Sequence, residues 1–169
     1  MSTPTPGRDP IAEAHRQWRV HGWTDAADGM GAVTSIMRAQ QLLLTQIDAL
    51  LRPFGLTFAR FELLRLLSFA SEQRMTMRRA GQRLQVHPTS LTSLAARLGD
   101  DGHVTREINP DDGRSAILAL TARGRSLVDE ATNTLNSDVF EQIGLTSEDV
   151  DTLVAILGRF RADRGDFAP

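Results

Sequence analysis

Residues 77–102 read MRRAGQRLQVHPTSLTSLAARLGDDG, and the parsing of that stretch decides the fold. Met77, Ala80, Gly81 and Leu84 fall at i, i+3, i+4 and i+7. After a break at Gln85-Val86 the same spacing returns at Leu91, Leu94, Ala95 and Leu98. Each set lines one side of an α-helix. Pro88 suits a first-turn position, where its missing amide would have no helical partner anyway. Gly102 suits the left-handed residue that stops a helix. Two short helices about four residues apart predict a helix-turn-helix. With Leu91, Leu94, Ala95 and Leu98 turned to a core, Thr89, Ser93 and Ala96 point outward, flanked by Ser90 and Arg97 on one side and Thr92 on the other. A solvated face would carry more Glu and Arg. A small, uncharged, hydroxyl-rich face can approach base edges in a major groove, where Ser and Thr donate or accept.

Downstream, His103 to Ile108 and Ser115 to Leu120 flank Asn109-Pro110-Asp111-Asp112-Gly113-Arg114. Val104, Ile108, Leu118 and Leu120 share one face under period-two alternation, and Pro-Asp-Asp-Gly is strong turn chemistry, so this segment predicts a β-hairpin. Thr121 then caps a helix reaching about Phe140. Thr146-Ser147-Glu148-Asp149 resembles a capping box with Asp in place of Glu, and it opens a last helix striped by Val150, Leu153, Val154, Leu157 and Phe160.

Upstream, Thr57 is placed to cap a helix carrying Phe58, Phe61, Leu63, Leu64 and Leu67, after Pro53 and Gly55 close the preceding one. That preceding helix, Met30 to Leu51, carries Val33, Ile36, Met37, Leu44, Ile47 and Leu51 at helical spacing, broadened by Leu42, Leu43 and Leu50. A helix apolar on more than one face is buried on more than one side, which predicts a subunit interface. Thr24 or Asp28 could cap it. Before it, Ile11 to Val20 forms a short amphipathic helix with Trp18, broken at His21-Gly22-Trp23.

The 169 residues are 41% apolar, enough for a packed core, and the 19 basic residues are all arginine. The formal charge of −2 hides an asymmetry. Arg60 to Arg125 holds eleven Arg against seven acids (+4), and the remainder holds eight against fourteen (−6). A basic middle between acidic ends suits a DNA-reading module carried by other elements, and ordinary fluctuation in charge is the alternative. Apolar runs of a few residues span no bilayer, and Met1 to Gly7 lacks the pattern of a signal peptide, so a cytoplasmic protein without a membrane partner is expected. The absence of cysteine excludes disulfides, thiolate zinc ligands and thiol redox sensing. His15 and His21 lack a third ligand, so neither metal nor cofactor is expected. No nucleophile motif appears among four scattered His, which argues against an enzyme.

Helices, a helix-turn-helix and a hairpin make a winged helix, and here the sequence strongly resembles the MarR family of bacterial transcriptional regulators. The resemblance runs from about Leu56 to Gly124. It rests on Leu56-Thr57 before Phe61-Glu62-Leu63-Leu64, Leu91-Thr92 with Arg97-Leu98, Gly102-His103-Val104-Thr105-Arg106, and Asp112-Gly113-Arg114 leading to Leu120-Thr121-Ala122-Arg123-Gly124. It implies a mainly α fold with a small β-hairpin wing (α+β), a winged helix-turn-helix flanked by N- and C-terminal dimerisation helices. Residues 1–27 are then an extension, 28–53 the first dimerisation helix, 54–121 the DNA-binding region and 122–169 the C-terminal dimerisation helices.

The implied activity is that of a homodimeric repressor reading a pseudo-palindromic duplex through recognition helix 88–101 and wing 103–120. The candidate DNA contacts are Pro88, Thr89, Ser90, Thr92, Ser93 and Arg97, with phosphate contacts from Arg78 or Arg79. His87 either touches the DNA backbone or caps the helix. In the family reading Arg114 reaches the minor groove, where a guanidinium meets enhanced negative potential, and Asp112 orients the wing by pairing with an arginine. Arg60, Arg83 and Arg106 are weaker candidates. Trp18 and Trp23 either anchor the extension to the dimer or line a pocket for a small aromatic or lipophilic effector, as an N-terminal helix does in related regulators. The alternative, a winged helix serving as a protein–protein module, predicts an apolar or acidic outer face on the second helix.

Overall fold

The computed structural model describes residues 7–109 and 116–168. In chain order the elements are α1 (Pro10–Val20), α2 (Thr24–Leu51), α3 (Phe58–Ser68), β1 (Arg74–Thr76), α4 (Met77–Leu84), α5 (Pro88–Asp100), β2 (Val104–Ile108), β3 (Ala116–Leu120), α6 (Ala122–Leu135) and α7 (Ser147–Ala162). The chain forms two compact units, one ending at Ala131 and the other beginning at Thr132. The architecture is mainly α with a small antiparallel sheet, as the sequence predicts.

In the first unit, Asp9 caps α1 by accepting from Ile11 N at 2.9 Å, and Pro10 takes the first helical position. Gly22, at φ 84°, provides the left-handed turn into α2. Neither Thr24 nor Asp28 caps α2, as either was expected to. Thr24 is already its first residue, and Asp28 lies within the helix, where it accepts from His15 of α1 at 2.7 Å. Only Ala27, Ile47 and Leu51 of α2 are buried, whereas Val33, Ile36, Met37, Leu42, Leu43 and Leu44 are exposed.

Pro53 lies in a short 3-10 turn, and Gly55 at φ 68° closes it. Thr57 occupies the cap position of α3 without a side-chain bond. The cap comes instead from α2, where Asp48 Oδ1 accepts from Phe58 N at 3.0 Å. A carboxylate ten residues away thus does what the local threonine was expected to do. Phe61, Leu63, Leu64 and Leu67 of α3 are buried and form the centre of this unit with Leu51, Leu98, Leu118 and Val128.

The sheet order is β1-β3-β2, with both pairs antiparallel. Val104 pairs with Leu120, Arg106 with Leu118 and Ile108 with Ala116, so Val104, Ile108, Leu118 and Leu120 do share a face. Ile108 is nevertheless 81% exposed, because the distal end of the hairpin extends past the core that covers Val104 and Leu118. β1 was not anticipated. Its Met75 opposes Leu118 and is buried with it.

The hairpin joins α6 at a close contact. Thr121 Oγ1 lies 2.9 Å from Gly102 O and 3.1 Å from His103 O, within donating reach of both, and accepts from Gly124 N at 3.0 Å. A Cβ on Gly124 would stand 2.1 Å from the His103 carbonyl oxygen. The Thr121-Ala122-Arg123-Gly124 motif is therefore a packing requirement as well as a helix start.

In the second unit, α6 passes into a π-helical turn over Asn136–Phe140, a change of winding inside the single helix expected there. Leu135 and Val139 are buried. Thr146 caps α7 by accepting from Asp149 N at 3.2 Å, and its hydroxyl donates to the Asp149 carboxylate at 2.7 Å, so the aspartate variant of the capping box closes on the side chain. No residue of α7 is buried, and Leu153, Val154, Ile156 and Phe160 are exposed.

Candidate nucleic-acid interface

α4 is capped by Thr76, whose hydroxyl accepts from Arg79 N at 3.3 Å. Its buried residue is Ala80, which leaves Arg78, Arg79 and Arg83 exposed. Gly81 faces α5. A Cβ there would meet a Leu91 methyl at 3.4 Å, so the two helices approach closely. The turn between them depends on Gln85 at φ 54°, a left-handed conformation that a side chain resists. His87 then caps α5, with Nδ1 accepting from Thr89 N at 3.3 Å, and Pro88 follows at the first helical position. Capping, one of the two roles open to His87, is thus the one its geometry displays.

Leu91, Ala95 and Leu98 of α5 are buried, and Leu94, expected to join them, is only half-buried. Position 94 lies at the margin of the inward arc, where the core does not fully close over it. Thr89, Ser90, Thr92, Ser93, Ala96 and Arg97 are all exposed. Thr92 donates its hydroxyl proton to Pro88 O at 2.9 Å, which leaves its oxygen as an outward acceptor. The outer face of α5 up to Arg97 thus carries hydroxyls, a methyl and one guanidinium, with no carboxylate before Asp100.

A cavity of about 550 Å³ opens between α4, α5 and the hairpin, with Arg78, Thr92 and Arg106 on its wall. Arg106 is exposed, as is Arg83. Arg60 is different, because Nη1 donates to Gly55 O at 3.1 Å and lies 4.0 Å from Asp101, so this guanidinium braces its own protein. Asp112 and Arg114 fall outside the described residues. The last described pair of the hairpin, Ile108 with Ala116, flanks the segment that contains them.

His103 sits where α5, the hairpin and α6 meet. It is 8% exposed, and its Nδ1 is buried without a hydrogen-bond partner among the described residues. Burial lowers its pKa, the Arg123 guanidinium lowers it further, and Asp101 opposes them. The sequence places this residue in the Gly102-His103-Val104-Thr105-Arg106 motif but gives it no role of its own.

In the extension, Trp18 and Trp23 meet edge to face at 5.4 Å, and His21 stacks on Trp23 at 5.7 Å. Trp23 remains 55% exposed. A cavity of about 530 Å³ between α1 and α2 is lined by Ile11, Met37 and Arg38 among others and includes neither tryptophan.

A helix-turn-helix whose second helix runs into an antiparallel hairpin defines a winged helix-turn-helix protein. The sequence profile of the MarR family matches residues 54–115. The chain is similar to the HTH-type transcriptional repressor Rv2887 of Mycobacterium tuberculosis, 32% identical over 96 residues, which cover 57% of this chain and 68% of that protein. Among solved structures it is similar to Sco5413, a MarR family transcriptional regulator from Streptomyces coelicolor. That match has a TM-score of 0.77 and 41% identity over 84% of this chain and 99% of the other. A second neighbour is Sco3205 from the same organism, a MarR family regulator solved in complex with DNA. It gives a TM-score of 0.70 and 25% identity over 78% of this chain and 85% of that one. The chain belongs to the MarR family, and with its relatives it is a transcription regulator, not an enzyme.

Proposed function

We propose that this protein is a homodimeric repressor that binds a pseudo-palindromic DNA duplex through α5 and the wing and is released by a small aromatic or lipophilic effector. The observation that carries the reading is the exposed outer face of α5. Thr89, Ser90, Thr92 and Ser93 present hydroxyls there, and neither the apolar nor the acidic surface that a protein-binding module would need interrupts them. Arg78 or Arg79 is the proposed phosphate contact, Arg97 a further proposed DNA contact, and Pro88 and His87 set the start of the helix. Arg114 is the proposed minor-groove contact and Asp112 its orienting partner.

Dimerisation is supported by the exposed apolar residues of α2 and α7, which a second copy would cover. Two recognition helices related by a two-fold axis meet successive major grooves about 34 Å apart. Release requires an effector that binds the DNA-incompetent conformation more tightly, since only differential affinity shifts the equilibrium. Trp18 and Trp23 are the aromatic candidates for that contact. The place of action is the cytoplasm, and among the described residues no single helix is long and apolar enough to cross a membrane.

The test is a salt titration of duplex binding by the dimer, followed by selection of bound sequences from genomic DNA. The expected result is a steep negative slope of log affinity against log salt, and a selected palindrome. Arg114→Ala is expected to weaken binding while leaving the melting temperature and dimer intact. A dimeric sample that binds no duplex at low salt overturns the reading.

A further inference from the structure

On the face of the sheet away from the core, Arg74 of β1 donates from Nη2 to Glu107 Oε2 of β2 at 2.8 Å. These strands are not neighbours, because β3 lies between them. Arg74 is opposite Ala119 and Glu107 opposite Ile117, so the pair passes diagonally over β3. Two inter-strand gaps amount to about 9.6 Å, a span that needs two long side chains and a low residue beneath, which Ala119 provides. Beyond Val104 every side chain of β2 is exposed, so packing holds only the root of that strand. To the backbone ladder with β3, the Arg74–Glu107 pair adds a cross-sheet link in the distal half.

We propose that Arg74 and Glu107 are a positioning pair that fixes the distal half of β2 against β1 and so sets the approach of the wing to DNA. The inference rests on the proposed DNA binding, but its mechanical part does not. Glu107 makes the two parts separable. A carboxylate near a phosphate backbone repels it, so on charge alone its removal tightens binding. As half of a positioning pair, its removal loosens the wing and weakens binding.

The experiment compares the wild-type dimer with Glu107→Thr, Arg74→Met and the exchange Arg74→Glu/Glu107→Arg. Threonine keeps strand propensity but is too short to reach across β3. Duplex affinity at one fixed low salt is read alongside amide hydrogen exchange of β2 and β3 without DNA. Expected are a three- to tenfold loss of affinity for Glu107→Thr and faster exchange at Arg106 to Ile108 in both single variants. The exchanged pair should recover protection and part of the affinity. Equal or tighter binding by Glu107→Thr, or unchanged exchange in the single variants, overturns the proposal. If the wild type itself binds no duplex, the repressor reading falls and the exchange data alone decide the positioning role.

Discussion

Two exposed surfaces of this protein are built from opposite materials. The outer face of α5 offers Thr89, Ser90, Thr92 and Ser93, whereas α2 between Val33 and Leu44 offers Val, Ile, Met and Leu, with Met37 57% exposed. Hydroxyls lose little by staying hydrated and can exchange water for base edges one bond at a time. Exposed aliphatic side chains gain about 25 cal/mol for each Å² removed from water and have no use for a hydrated, charged partner. Exposure alone does not identify a binding surface. Its chemistry identifies the kind of partner.

The contrast can be broken most violently from inside. Leu98→Ala removes a fully buried side chain from the inner face of α5 and is expected to cost roughly 2–5 kcal/mol in urea unfolding. Half-buried Leu94→Ala should cost clearly less. Equal losses at the two positions would mean that the inner arc of α5 is drawn wrongly.

On the apolar surface, Ile36→Glu with Met37→Glu is expected to convert a dimer to a monomer by sedimentation, with helix content unchanged by circular dichroism. Continued association would separate that surface from dimerisation. On the polar surface, Thr89→Ala and Ser93→Ala should each erode discrimination between duplexes by up to about 1–3 kcal/mol. Stability should stay within about 0.5 kcal/mol, as for ordinary surface changes. A stability loss matching the binding loss would return these residues to a structural role.

The smallest effect concerns His103, which neither surface contains. Its pKa is lowered in the folded chain by burial and Arg123, so the unfolded chain takes up the proton first as pH falls. The stability it lends is complete above the unfolded value of about 6.5 and declines as pH drops from there through the folded value. His103→Leu should flatten that part of a stability-against-pH curve. An unchanged slope would mean that another group sets it.

What could be read from the sequence follows the range of the forces involved. α4 and α5 were legible because Pro88, Gly102 and two runs of helical spacing are local signals. The hydroxyl face followed from 100° per residue. β1 was illegible because three residues cannot show a period, and its pairing is with β3, more than 40 positions away, where Met75 meets Leu118. The Asp48 cap on α3 and the Arg74–Glu107 pair join residues 10 and 33 positions apart, beyond any local pattern. Leu94 followed the period and still lies half-open, since periodicity gives direction but not the height of the core. The expected contacts at Thr89 and Ser93 rest on that period, whereas the one at Arg114 rests on the family resemblance.

The Thr121 hydroxyl has a mechanical consequence. One oxygen lies against the carbonyls of Gly102 and His103 and also holds the Gly124 amide, while Gly124 leaves no gap above His103. The joint between the first turn of α6 and the root of the wing therefore has no backlash. A twist applied to that turn is passed to the root of the wing, at Gly102 and His103, rather than absorbed in the joint.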